Sequence, residues 1–287
     1  MRPRLLLTIA LTAGITAMGA TGVNVYLNER ASPEARVLSS TFDSTVLGEQ
    51  RRLIVRLPES YARQPDARYP VVYVLDGSSQ DRHTAHTAAL MARIGVMPEV
   101  IVVGLPNSSG EGRQRDYTPP FMRMDIDQAD GPPGAGDRFL AFLKTELMPA
   151  IERDHRTDST RILAGYSRGG LLVVYSLMAD PDLFQARFAF SPALWRDDEV
   201  VVSRLGEFLR ASPGLEGFLY LSLGSEENDK MTAAYRKAVA ALEHHAPSGL
   251  RWRADLTPDA DHGTNPELST PVAFGALFAQ GRLRPGL

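Results

Sequence analysis

Gly165-Tyr166-Ser167-Arg168-Gly169 fits the pattern GxSxG, between the apolar runs Ile162-Leu163-Ala164 and Leu171-Leu172-Val173-Val174. A strand that turns sharply into a helix at such a sequence lifts the serine hydroxyl out of the fold. The flanking glycines remove side chains that would clash in the bend. A serine hydroxyl is a poor nucleophile at neutral pH, so the chemistry also needs an imidazole to take its proton and an acid to orient that imidazole. His262, in the polar loop Pro258-Asp259-Ala260-Asp261-His262-Gly263, stands where the base is expected, after the strand-like residues 251–256. The other five histidines have plainer readings. His83 and His86 share a helical spacing, but no third metal ligand accompanies them. His244 and His245 suit a helix C-terminus, and His155 reads as a surface residue.

The acid is expected between serine and histidine, in the chain order Ser, Asp/Glu, His. There the apolar residues 217–223 run into Gly224-Ser225-Glu226-Glu227-Asn228-Asp229. Spacing from the strand end favours Glu227, with Glu226 and Asp229 as alternatives, and carboxylates not used this way would be solvated or cap the next helix.

These groups need a scaffold that brings strand ends together. Tyr69-Pro70-Val71-Val72-Tyr73-Val74-Leu75 is continuously apolar and β-branched, as in a strand buried on both faces of a parallel sheet. Similar strands are predicted at 100–104, 161–164, 186–190 and 217–223. Residues 40–47 and 50–57 read as two strands joined by a turn at Gly48. Residues 137–153 carry Phe139, Leu140, Phe142, Leu143, Leu147 and Ile151 at helical spacing. Strands alternating with helices indicate a parallel α/β sheet. Residues 107–136, rich in Gly, Pro and charge, read as a long surface excursion.

The chain has 287 residues, 44% hydrophobic and 23% charged, which suits one globular domain over residues 31–287. A net charge of −3 without basic runs argues against nucleic acid as a partner. The absence of cysteine excludes disulfides and thiolate chemistry. Arg2 and Arg4 precede an uncharged stretch that ends near Ala17, Gly19, Ala20 and Gly22, so residues 1–30 read as an export leader. A cleaved signal peptide and an uncleaved membrane anchor both place the remaining chain outside the cytoplasm.

Taken in order, the segments Leu57-Pro58-Glu59-Ser60-Tyr61, 69–77, Arg115-Asp116-Tyr117-Thr118-Pro119, Arg138-Phe139-Leu140, 165–170, Ser191-Pro192-Ala193-Leu194-Trp195 and His262-Gly263 are more specific than one GxSxG. Over residues 37–283 they resemble the esterase family of α/β hydrolases that includes esterase D, feruloyl and acetylxylan esterases, trilactone siderophore esterases and mycolyltransferases. The resemblance implies an α/β-hydrolase fold, with a mostly parallel central sheet flanked by helices and antiparallel N-terminal strands. It implies Glu227 as the acid, three residues after the glycine ending its strand. It also implies oxyanion donors at the backbone amides of Ser78 and Arg168, a small-molecule ester as substrate, and no metal or organic cofactor. The Arg168 guanidinium and the Arg115/Asp116 pair are expected to be structural, while Trp195 suits a pocket wall and packing equally. The leading expectation is an exported serine esterase. Acyl transfer through the same intermediate, or a noncatalytic binding protein on this fold, are the competing readings.

Overall fold

The computed structural model describes residues 36–125 and 130–279. The predicted leader, residues 1–30, lies outside the described residues. Among the described residues no helix is long and apolar enough to cross a membrane.

Eight strands form one sheet in the order β1-β2-β4-β3-β5-β6-β7-β8. They are β1 (Val37–Ser44), β2 (Glu49–Arg56), β3 (Tyr69–Leu75), β4 (Ile101–Leu105), β5 (Thr157–Tyr166), β6 (Ala186–Phe190), β7 (Gly217–Gly224) and β8 (Leu250–Thr257). β1 pairs antiparallel with β2, and β2 with β4, whereas every pairing from β4 through β8 is parallel. The helices are α1 (Gln80–Arg93), α2 (Gly110–Tyr117), α3 (Gly136–Phe142), α4 (Met148–Asp154), α5 (Arg168–Ala179), α6 (Val200–Ala211), α7 (Asp229–His245) and α8 (Asn265–Phe278). A π-helical turn, Leu143–Leu147, joins α3 to α4, so the predicted helix over 137–153 is one continuous rod.

The alternation of β3 shows how the layers form. Val71, Tyr73 and Leu75 face one apolar cluster with α3 to α7, while Val72 and Val74 face a second with α1 and α8. All seven residues of β3 are buried, the signature of a strand covered on both faces. The order also fixes where a site can form. The chain leaves β3 to reach β4 on one side, then returns past it to β5 on the other. Ligands of open α/β sheets bind beyond the carboxyl ends of strands at such a switch point.

The excursion over 107–136 differs from expectation. It contains α2, and Asp116, Tyr117, Thr118 and Met122 are buried. Asp116 is sheltered because Arg51 and Arg115 both pair with it, and Arg115 also reaches Glu49 at 2.8 Å. The Tyr117 ring packs edge-on against Phe139 at 5.5 Å, and its hydroxyl accepts the Asp76 amide at 3.1 Å. Polar residues are buried here through partners distant in sequence, which composition does not reveal. The Arg115/Asp116 pair takes its expected structural place, tying α2 to the start of β2.

Candidate active site

Ser167 follows β5 directly, with φ 57° and ψ −117°. That conformation is strained for a residue with a side chain and persists only where the surroundings over-determine it. Here the backbone does so. The Ser167 amide donates to Phe190 O at 3.0 Å, and its carbonyl accepts from Ala193 N and Leu171 N, each at 3.0 Å. A Cβ on Gly165 would lie 2.6 Å from the carbonyl carbon and oxygen of Gly169, so the chain can bend this tightly only with glycine there.

His262 reaches this serine from the loop between β8 and α8. Its Nε2 lies 3.0 Å from Ser167 Oγ and its Nδ1 lies 2.8 Å from Glu227 Oε2. With Nδ1–H donating to the carboxylate, Nε2 is left as the acceptor for the serine proton. The loop is pinned by Asp261, whose Oδ1 accepts from Gly263 N at 2.9 Å and from Thr264 N and Oγ1, each at 2.8 Å. The Tyr166 ring lies against the imidazole, centroids 4.8 Å apart.

Glu227 enters from the turn after β7. Its side chain is 1% exposed, and His262's is 42% exposed. Oε1 accepts the Gly224 amide at 3.0 Å and the Ser191 hydroxyl. Burial works against the charged form, but the bonds from His262, Ser191 and Gly224 outweigh it and hold the carboxyl below its ordinary range. Of the three carboxylates left open by spacing, Glu227 meets the imidazole. Glu226 is exposed, and Asp229 opens α7.

The predicted oxyanion donors are placed differently from one another. Arg168 N stands at the first position of α5, beside Ser167, where helix amides point outward. Ser78 N instead donates to Asp81 Oδ1 at 2.6 Å, and Asp81 Oδ2 takes Arg56 Nε at 2.6 Å. The Ser78 amide is therefore turned inward. The Arg168 side chain binds Thr118 Oγ1 at 3.0 Å and Met124 O at 2.9 Å. Burial, with Arg196 and Arg113 nearby, pulls its pKa down to about 10.

A cleft of about 500 Å³ opens over Ser167, walled by residues 76–80, Pro106, Asn107, Arg113 and Tyr166. Arg113 binds Asp76 through two parallel bonds, Nε to Oδ1 at 2.6 Å and Nη2 to Oδ2 at 2.8 Å. Trp195 packs half-buried against the core and is not among the cleft residues. The other histidines lie elsewhere: His83 and His86 on α1, His244 and His245 in the last turn of α7, and His155 edge-on to Tyr61. Sequence reasoning missed Arg113, which sits in a hydrophilic helix, and gave no site role to Ser191, which entered only as part of the segment 191–195.

A parallel sheet with antiparallel N-terminal strands, flanked by helices and carrying a serine on a strained strand-to-helix turn, defines the α/β-hydrolase fold. A model of the Esterase family, described as "Putative esterase", matches residues 44–253. The chain belongs to this family. It is 30% identical over 190 residues to the ferri-bacillibactin esterase BesA of Bacillus subtilis, a match that takes in 61% of this chain and 63% of BesA. The chain thus spans less than two thirds of that relative. It is 27% identical over 201 residues to the siderophore triacetylfusarinine C esterase of Aspergillus fumigatus, covering 63% of this chain and 67% of that one. Among solved structures, an IroE-like serine hydrolase from Shewanella oneidensis superposes with a TM-score of 0.77 at 29% identity, over 85% of this chain and 80% of the other.

Proposed function

We propose that the protein is a serine esterase that cleaves a carboxylic ester through Ser167, His262 and Glu227 by way of an acyl-enzyme. The observation that carries this reading is the unbroken line of hydrogen bonds from Ser167 Oγ through His262 to the buried Glu227 carboxylate, at the mouth of a cleft. Ser167 attacks the ester carbonyl as His262 Nε2 takes its proton. The imidazolium that forms is stabilised by Glu227, then protonates the departing alkoxide. Water, activated by the same imidazole, releases the acid. The carbonyl oxygen becomes an oxyanion, which the Arg168 amide meets first. The Ser78 amide joins it only when the turn over 76–79 releases Asp81.

The substrate we propose is a siderophore ester. The similarity to the ferri-bacillibactin esterase BesA and to the Aspergillus siderophore esterase supports this, as does a cleft walled by Asp76, Gln80, Asn107 and Arg113, which favours an ester set among hydrogen-bonding groups. The leader over residues 1–30 would place the folded domain, residues 31–287, outside the cytoplasm.

The domain without its leader is expected to hydrolyse p-nitrophenyl butyrate and a catecholate or hydroxamate siderophore ester. Ser167→Ala should abolish both, by roughly 10⁴-fold or more. Equal rates in mutant and parent would remove the assignment. Glu227→Gln should lower kcat far more than Glu226→Gln, and the reverse ranking would move the acid to Glu226.

A further inference from the structure

Behind Glu227 lies a buried line of polar side chains that the reaction scheme does not use. Ser191 and Asn265 are each 0% exposed, as are Ser222 and Ser269. Asn265 Nδ2 lies 2.8 Å from Ser191 Oγ and 3.0 Å from Ser222 Oγ, and Ser269 Oγ lies 2.7 Å from Asn265 Oδ1. Thr257 Oγ1 sits 2.8 Å from Ser269 Oγ.

The proton directions along this line follow from its end. An ionised carboxylate can only accept, so Ser191 must donate to Glu227. The Ser191 oxygen is then the acceptor for Asn265, which places the amide nitrogen toward Ser191 and the amide oxygen toward Ser269. Ser269 spends its proton on that oxygen, so Thr257 donates to Ser269. Four groups thus point the same way, and their dipoles present positive ends toward one carboxylate. Aligned bonds in a low-dielectric interior polarise one another in the same sense.

Two backbone features show that this arrangement is built into the fold. Ser191 has φ 43°, a left-handed conformation that turns its side chain toward the end of β7, and its amide is tied to Ser222 O at 2.8 Å. Asn265 is the first residue of α8, three positions after His262, and its amide donates to Asp261 O at 3.1 Å. The loop that presents the imidazole therefore also presents the amide that orients the acid's partner.

We propose that Ser191 and Asn265 are positioning residues: a one-directional hydrogen-bond line, Thr257 to Ser269 to Asn265 to Ser191, keeps Glu227 ionised and aimed at His262 Nδ1. The inference rests on the Ser167, His262, Glu227 reading above.

The test uses S191A and S191G, the second because glycine accepts the left-handed backbone and so separates hydroxyl loss from strain. Both are expected to lower kcat about tenfold or more, the scale of one hydrogen bond to a charged group, with KM nearly unchanged. Both should also move the acid limb of the kcat profile to higher pH. Without the Ser191 donor Glu227 protonates more readily, so the held anion behind His262 is lost at a higher pH. N265D keeps the shape but replaces the donor with an acceptor that competes for the Ser191 proton. Its effect should be large in the parent and small in the S191A background, because it acts through Ser191. Parent-like kcat and acid limb in both Ser191 variants would overturn the proposal, and so would a kcat loss with an unmoved limb. Should N265D not fold, the two Ser191 variants decide alone. Ser167→Ala is run beside them: activity surviving there would fault the esterase reading, whereas its loss together with unaffected Ser191 variants would fault this inference alone.

Discussion

The turn after β5 and the turn after β3 lie side by side, and both hold residues at positive φ, 57° at Ser167 against 56° at Asp76 and 81° at Ser78. They differ in what is added to the main-chain frame. The Ser167 turn is fixed by main-chain bonds to β6 and its exit, and by glycines pressed against neighbouring backbone. The Asp76 turn has a main-chain frame of its own, Gly77 N donating to Leu105 O at 3.0 Å where a Cβ on Gly77 would lie only 2.3 Å from Leu105 N. It adds side-chain charge to that frame: Arg113 and Asn107 grip the Asp76 carboxylate, while Asp81, itself paired with Arg56, grips the Ser78 amide. A turn determined by sterics presents its hydroxyl in one place. Where an ion-paired carboxylate holds an amide, as Asp81 holds Ser78 N, the amide can be re-aimed when a competing charge arrives, which is what a developing oxyanion in the cleft would be.

The sharpest way to break the comparison is at the steric turn. Gly165→Ala puts a methyl 2.6 Å from Gly169 main-chain atoms and 2.9 Å from Leu75 Cδ1, and the backbone there has no room to yield. The expected loss is roughly 3 kcal/mol of stability or more, with activity gone, read by urea unfolding and p-nitrophenyl butyrate turnover. A folded, active G165A would mean that the close approach is not what shapes the turn.

At the charged turn the largest change is Arg113→Ala, which strands the Asp76 carboxylate with Asn107. Removing one partner of a buried pair costs about 3–5 kcal/mol, and the 27% exposure of the Arg113 side chain puts the expected loss nearer the lower end. Arg113→Lys should fall between parent and alanine, because an ammonium cannot make both parallel bonds. Both would be measured by urea midpoint and by kcat/KM. Indistinguishable midpoints for R113A and the parent would mean that the turn does not depend on the pair.

The same contrast explains what could be read from residues alone. β3 appears where its unbroken apolar run places it, since full burial leaves a local mark, and β6 appears at 186–190 although the buried Arg187 interrupts its run. GxSxG marks the Ser167 turn for a similar reason: its determinants are neighbours in sequence. The Asp76 clamp draws on Asn107 and Arg113, whose relation to Asp76 exists only after folding, and α2, with the sequence GEGRQRDY, carries no apolar face to announce it. Adjacent residues Glu226 and Glu227 differ only in the direction their turn aims them. That direction is set by Gly224, where a Cβ would stand 2.3 Å from Ala260 O. Composition has no access to such a contact.

The acid's turn also depends on a carboxylate, so pH extends the comparison. Glu227 is held below its ordinary value of 4.5 in the folded protein, so its ionised form contributes stability that is present at neutral pH and lost as pH falls through the folded value. Melting temperature should decline as pH drops below about 5, and Glu227→Gln should lose part of that slope. The Ser167 turn, whose Tyr166 and Arg168 titrate far above this range, should add nothing to it. Equal slopes for the parent and E227Q between about pH 5 and pH 3 would contradict the assignment of this carboxylate as a held anion.

The smallest effect is expected at Ser78, where the proposed role belongs to the amide and not to the hydroxyl. Serine at φ 81° is strained, and Ser78→Gly relieves that strain while adding freedom to the unfolded chain. The two terms oppose each other, so stability should change by no more than about 0.5 kcal/mol. Turnover should hold or rise about twofold, because a glycine turn re-aims its N–H from Asp81 toward an oxyanion with less resistance. A tenfold drop in kcat for S78G, in a protein with unchanged melting temperature, would show that the side chain touches the reacting ester. The charged turn would then act through a hydroxyl as the steric turn does, and the division drawn between them would fail at that point.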